Sequence, residues 1–151
     1  MSVNSNDCAQ AVLEVAPLVM RTIRTEMRRY RGPELAVPHF RVLAFLNDNE
    51  GASLSDVAEH LGLRLPSMST LVAGLVERKL VDRQPSAVDR RRVTLALTAR
   101  GRSTLEAARQ ATQKRLAERL EGLPAGELES LATSLNLLRT IFAAPVGTSK
   151  G

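Results

Sequence analysis

From Ala9 to Tyr30 the apolar residues Val12, Val15, Val19, Ile23 and Met27 return at steps of three and four, the spacing that lines one face of an α-helix. Pro17 interrupts that stripe; it either kinks the helix or sits in its first turn, with the preceding residues forming a separate turn. Residues 1–8 are polar and expected to fray, and Arg31-Gly32-Pro33 closes the element. A second helix is predicted from Pro38 to Asn47, with Phe40, Leu43, Ala44 and Leu46 inward and proline suited to the first helical position. Asn47-Asp48-Asn49-Glu50-Gly51 reads as a turn. Ser53 then has the form of an N-cap, with Asp56 three residues on to complete a capping box. Val57, Ala58 and Leu61 give this short helix its buried face, and Gly62 is placed to close it in the left-handed conformation. Pro66 opens a longer helix that carries Met68, Leu71, Val72, Leu75 and Val76 inward.

Beyond Leu80 the period changes from helical to alternating. Leu80-Val81-Asp82-Arg83-Gln84 predicts a strand, Pro85-Ser86-Ala87-Val88 a loop, and Val93 to Leu97 the returning strand. Val93, Leu95 and Leu97 alternate with Thr94 and Ala96, as in a sheet with one wet face. Thr98 caps a helix running to Glu121, with Leu105, Ala108, Thr112, Leu116 and Leu120 along one side. Leu123-Pro124-Ala125-Gly126 breaks the chain, and Leu128, Leu131, Leu135, Leu138 and Phe142 form a final stripe.

A short helix, a tight turn with glycine and a longer helix make the helix-turn-helix layout, and the hairpin after it adds a wing. The fold class expected is therefore mainly α with a small β-wing. Residues 1–151 are read as a single domain, with a winged helix-turn-helix lobe at about 36–98 and flanking helices at about 9–31 and 99–143. Those flanking helices carry more apolar surface than one small lobe covers. Interleaving them between two copies, as a helical dimerisation bundle, would cover it. The alternative is a monomer whose helices fold back on its own lobe.

Composition narrows the partners. The chain has 151 residues and a formal net charge of +5, and nearly all its cations are arginine, which pairs well with phosphate oxygens. Aromatic residues make up 3%, with no tryptophan, which argues against stacking platforms for single-stranded nucleic acid. Cys8 is the single cysteine, so an internal disulfide framework and a cysteine-based zinc site are excluded. No apolar run approaches the length of a membrane span and the N-terminus lacks the build of a signal peptide, so a cytoplasmic protein with no membrane partner is expected. His39 and His60 lie on different helices with no nucleophile or paired carboxylate at useful spacing, so neither catalysis, nor a metal site, nor a cofactor is expected.

The wing tip, Asp89-Arg90-Arg91-Arg92, sets guanidiniums side by side, where they repel one another. Against double-stranded DNA they gain, because each can neutralise a phosphate or enter an electronegative minor groove. Taken with Ser53-Leu54-Ser55-Asp56-Val57-Ala58-Glu59-His60-Leu61-Gly62, with Leu71-Val72, Leu75 and Leu80-Val81, and with Leu97-Thr98-Ala99-Arg100-Gly101, the chain resembles the MarR family of bacterial transcription regulators. The order of elements matches from about Val12 to Phe142, and the Asp-x-Arg wing followed by Leu-Thr-x-x-Gly is the most specific part.

The resemblance implies a homodimeric winged helix-turn-helix regulator of an inverted-repeat operator, usually a repressor, often released by a small phenolic or oxidant signal. It implies that Asp89 orients Arg91 for the minor groove while Arg90 and Arg92 touch phosphates. It puts Pro66, Ser67, Ser69 and Thr70, with Ala73 and Gly74, in the major groove, and Arg64 just before them on a phosphate. Thr70 and Gly74 replace the long polar residues common near these positions, and short hydroxyls discriminate bases less than a bidentate arginine does. Ser67 and Ser69 are read equally well as helix-start chemistry. A small aromatic ligand, lodged where the first two helices and the fifth meet the lobe, would face Met20, Arg24, His39 and Phe40, whose other reading is packing and surface charge. Cys8, without a resolving cysteine, reads as a bland thiol near the terminus. Two rival functions remain at this stage: a winged helix that binds protein, and an architectural DNA binder without sequence preference.

Overall fold

The structure is a computed structural model, and it describes residues 2–30, 35–89 and 91–143. Six helices and one hairpin follow in the order α1 (Ser5–Tyr30), α2 (Val37–Asp48), α3 (Leu54–Leu61), α4 (Leu65–Glu77), β1 (Val81–Pro85), β2 (Val93–Leu97), α5 (Ala99–Leu120) and α6 (Ala125–Ala143). The chain forms two compact units that divide within α5, between Lys114 and Arg115.

In the first unit, α2, α3 and α4 close around a core with the hairpin at one edge. Phe40, Val42, Leu43 and Leu46 enter from α2, Val57, Ala58 and Leu61 from α3, and Met68, Val72 and Leu75 from α4. Ala52, Leu80, Val81, Leu95, Leu105 and Ala108 complete the cluster, and Met27 of α1 packs against it. Burying each of the larger aliphatic side chains contributes about 1.5–3 kcal/mol, so this cluster is what holds the unit together. Because α2 packs against α1, α3, α4 and β2, it is buried more completely than a one-sided stripe predicts, and Val42 is fully enclosed.

The hairpin pairs antiparallel from Val81↔Leu97 to Pro85↔Val93. Ala52 and Ser53 extend it from the other side: the Leu95 amide donates to the Ala52 carbonyl at 2.8 Å, and Ser53 bridges Thr94. That contact ties the turn before α3 to the wing, which local patterning could not foresee. Alternation on β2 is correspondingly imperfect. Leu95 is buried, Leu97 half-buried, and Val93 lies exposed opposite Pro85, at the end of the ladder that projects beyond the core.

Several boundaries differ from expectation for local reasons. Residues 5–8 are helical rather than frayed. Asn4 and Asp7 cap α1 reciprocally, the Asn4 amide donating to Asp7 Oδ2 and the Asp7 amide to Asn4 Oδ1, both at 3.0 Å. Cys8 accordingly sits in the first turn of α1, exposed. Pro17 lies in the interior of this one long helix. Strand β1 starts one residue later than predicted because the Leu80 amide closes the end of α4 on the Leu75 carbonyl at 3.0 Å. Helix α5 stops at Leu120, one residue short of expectation, and Ala125 and Gly126 belong to the first turn of α6, so Glu121-Gly122-Leu123-Pro124 makes the break.

In the second unit α6 buries none of its residues. Leu135, Leu137, Ile141 and Phe142 are all exposed, Phe142 to 70%.

Candidate nucleic-acid interface

The interface is built from two capped helices and a braced loop. At the start of α3 the Ser53 amide donates to Asp56 Oδ2 at 2.9 Å while the Asp56 amide donates to Ser53 Oγ at 3.1 Å. At its end Gly62 takes φ 68°, the Leu63 amide reaches the Ala58 carbonyl at 3.0 Å and the Gly62 amide the Glu59 carbonyl at 3.2 Å. This double closure spends no side chain and turns the chain sharply into Arg64. Arg64 is extended (φ −70°, ψ 148°) and precedes α4, whose first turn holds Pro66 and has no side-chain cap.

Of the expected major-groove residues, Pro66, Ser67 and Thr70 are exposed, as is Arg64 before them. Ser69 is half-buried, because it lies beside Met68 and Val72 on the flank of the buried face. Thr70 Oγ1 donates to the Pro66 carbonyl at 3.2 Å.

The wing tip is organised from within. Ser86 Oγ accepts from the amides of Val88 and Asp89 at 3.2 and 3.3 Å, and the Ser86 amide donates across the loop to the Arg92 carbonyl at 2.8 Å. Asp89 uses its carboxylate on the backbone: the Arg91 amide donates to Asp89 Oδ1 at 3.0 Å, and the Arg92 amide donates to the Asp89 carbonyl at 3.0 Å. The carboxylate therefore sets the backbone from which Arg91 projects and leaves the guanidinium unpaired. Arg91 and Arg92 are exposed and, among the described residues, make no ion pair. Arg90 lies outside the described residues.

Helix and wing converge at one place. Ser53, Leu54, Ser55, Asp56, Leu65, Arg92 and Val93 line a cleft of about 510 Å³, so the start of α4, the start of α3 and the tip-side start of β2 share a surface.

The Leu-Thr-x-x-Gly run after the wing has a mechanical role. Thr98 Oγ1 donates to the Lys79 carbonyl at 2.6 Å and accepts from the Gly101 amide at 2.9 Å, capping α5 while holding the turn after α4. A Cβ at Gly101 would collide with the Leu80 carbonyl oxygen, so this position requires glycine. Sequence reasoning placed Thr98 as a cap but missed its second partner. It also missed Ser86, although a serine three residues before an aspartate in a loop is itself a turn signal.

The four ligand candidates are not equivalent. Met20 and Arg24 are exposed on α1. Phe40 is 2% exposed and belongs to the core, and His39 Nδ1 accepts from the Ala36 amide at 2.8 Å, an N-terminal bond of α2.

A two-helix reader with an adjoining arginine-tipped hairpin defines a winged helix-turn-helix protein of the DNA-binding regulator class. Sequence comparison makes the assignment narrower. The MarR family profile matches residues 34–92. An HTH-type transcriptional regulator of Mycobacterium bovis is 33% identical over 132 residues, covering 86% of this chain and 91% of that protein. The HTH-type transcriptional repressor IacR of Pseudomonas putida is 29% identical over 105 residues, 70% of this chain and 63% of IacR. In fold, the crystal structure of RV1404 from Mycobacterium tuberculosis superposes with a TM-score of 0.79 at 24% identity, covering 95% of this chain and 98% of that one. The chain belongs to the MarR family of transcriptional regulators.

Among the described residues no helix is long and apolar enough to cross a membrane.

Proposed function

We propose that the chain acts as a homodimeric, sequence-specific repressor of the cytoplasm, reading an inverted-repeat operator. In this reading the lobe at about 36–98 meets DNA while the helices at about 9–31 and 99–143 join two copies. Each copy lays α4 in a major groove, with half-sites about one helical turn apart, and sets its wing in the adjoining minor groove. The observation that carries the reading is the cleft shared by the start of α4 and the tip end of the wing, lined by unpaired Arg92 with unpaired Arg91 next to it in the chain. Free guanidiniums on a braced loop next to an exposed helix start suit phosphate and minor-groove contact. Arg64, Pro66, Ser67, Ser69 and Thr70 on the helix side, and Asp89, Arg91 and Arg92 on the wing, are assigned to DNA; Arg90 is assigned from the sequence alone.

Repression is favoured by the name of the Pseudomonas putida relative, a transcriptional repressor. Dimerisation is favoured by the uncovered apolar side chains of α1 and α6. A small aromatic acid is the proposed releasing signal, and Met20 and Arg24 are the candidates open to it.

The test is a titration of a duplex selected from random DNA against scrambled DNA over a salt series. A steep salt slope and preference for an inverted repeat are expected. Equal affinity for both duplexes would establish an architectural binder, and no binding at low salt a protein-interaction module. Arg91→Ala should weaken specific binding about tenfold or more, whereas Arg109→Ala on α5 should change it by less than about twofold. Equal losses would mean that only bulk charge matters.

A further inference from the structure

Between Pro66 and Ala73 the outward side chains of α4 are all short. Arg64 precedes the helix and Glu77 ends it, and no charged residue stands between them. Leu65, Pro66, Ser67, Thr70 and Ala73 are exposed. Positions 66, 70, 73 and 77 succeed one another at steps of four, three and four, and so share a face.

From Pro66 to Ala73 that face offers hydrocarbon and one hydroxyl, and the hydroxyl has already committed its proton. Thr70 Oγ1 donates to the Pro66 carbonyl at 3.2 Å. A hydroxyl has one proton and two lone pairs, so Thr70 keeps an acceptor and a methyl group to offer a ligand. Neighbouring Gly74 carries no side chain and nothing stands within 4 Å of where its Cβ would be, so the space beside this face is open. At the far end Glu77 and the negative end of the helix dipole repel phosphate, which leaves the first two turns as the part that approaches.

In the major groove guanine presents two acceptors and rewards a paired donor. Ser67, with a single hydroxyl, cannot make that paired contact, and no arginine or lysine lies on the helix. An A·T pair presents the adenine N6 donor and the thymine C5 methyl; cytosine also presents an amino donor, but with a bare C–H at C5. We infer that the first two turns of α4 select A·T pairs, Thr70 accepting from adenine N6 while Pro66, Thr70 and Ala73 pack against thymine methyls. This rests on the DNA-binding reading above and names what its helix recognises.

The experiment uses the full chain. An operator is selected from random duplexes, and each thymine in a half-site is then replaced by uracil, which removes the major-groove methyl and keeps every hydrogen-bonding group. Half-sites rich in A·T are expected, with binding weakened about three- to fivefold for each contacted methyl removed, the worth of one buried methyl group. Random DNA should be indifferent to the exchange. Thr70→Val should keep the methyl dependence and lose the adenine preference, and Thr70→Ser should keep the adenine preference and lose the methyl dependence at one thymine while the others stay sensitive, with circular dichroism melts confirming that both variants fold. Uracil equivalent to thymine throughout an operator that still outcompetes random DNA would overturn this inference and leave DNA binding standing. Half-sites rich in G·C would overturn it equally. A selection that enriches no sequence would remove the sequence-specific reading and this inference with it.

Discussion

The helices of the lobe and the helices that flank it carry the same kind of apolar stripe and meet opposite fates. On α4, Met68, Val72 and Leu75 are fully enclosed. On α1, Leu13, Val15, Leu18 and Val19 are exposed, Leu13 to 76%, and α6 buries nothing at all. Periodicity records that a face has to be covered; what covers it is a separate fact. Inside the lobe the cover comes from the same chain, from Phe40 to Ala108 with Met27 against them, whereas α1 and α6 leave large apolar side chains open.

The sharpest way to break this contrast is to remove core volume. Leu75→Ala should cost about 2–5 kcal/mol in urea unfolding, at every protein concentration, because the cavity lies within one chain. A loss that vanished on dilution would mean that the lobe, too, depends on a partner. Gly101→Ala comes next, at about 2 kcal/mol or more, since Leu80's carbonyl oxygen occupies the space the new methyl needs. A fully stable variant would show that α5 can shift away from the turn after α4. On the flanks, Leu137→Asp with Phe142→Asp should leave the helical circular dichroism signal nearly unchanged but convert the protein to a monomer in analytical ultracentrifugation. DNA affinity should then fall by about tenfold or more as the second half-site is lost. A dimer that survived both charges would exclude that end of α6 from the interface.

The smallest effects come from two helix ends that share one geometry. The end of α4 repeats the closure seen at Gly62: the Leu80 amide bonds the Leu75 carbonyl and the Lys79 amide the Val76 carbonyl, both at 3.0 Å. Its left-handed residue is a lysine, Lys79, at φ 62°. Gly62→Ala should therefore cost about 1 kcal/mol and Lys79→Gly should gain about 0.5–1 kcal/mol, measured by denaturant titration. The opposite sign at Lys79 would mean that its side chain contributes contacts worth more than the strain.

Those two ends also show how far local sequence could be read. Gly62 announced its turn because glycine is the residue that the left-handed region favours. Lys79 did not, since its conformation is imposed by Thr98 holding its carbonyl and by Leu80 being drawn into the core. Ser53 and Asp56 are legible as a capping box, and the reciprocal Asn4 and Asp7 pair carries the same spacing within a polar stretch. At the wing, the sequence spacing of Asp89 and Arg91 marked the site, but the use of the carboxylate on a backbone amide needed coordinates. Of the ligand candidates, Phe40 follows the core periodicity that hides it, and His39 is engaged by the backbone three residues earlier.

By itself the chain determined its elements and their order, because helix caps, turn glycines and apolar periods are interactions between residues a few positions apart. It also determined the family, through motifs in which each residue type answers a local need. Tertiary structure alone decided that β2 is flanked on both sides, that Gly101 must lack a side chain, that Thr98 clamps the end of α4, and that Val15 and Val19 of the α1 stripe and most of the α6 stripe lie open. Each of these depends on backbone groups brought together from distant parts of the chain, a coincidence in space that no local period encodes.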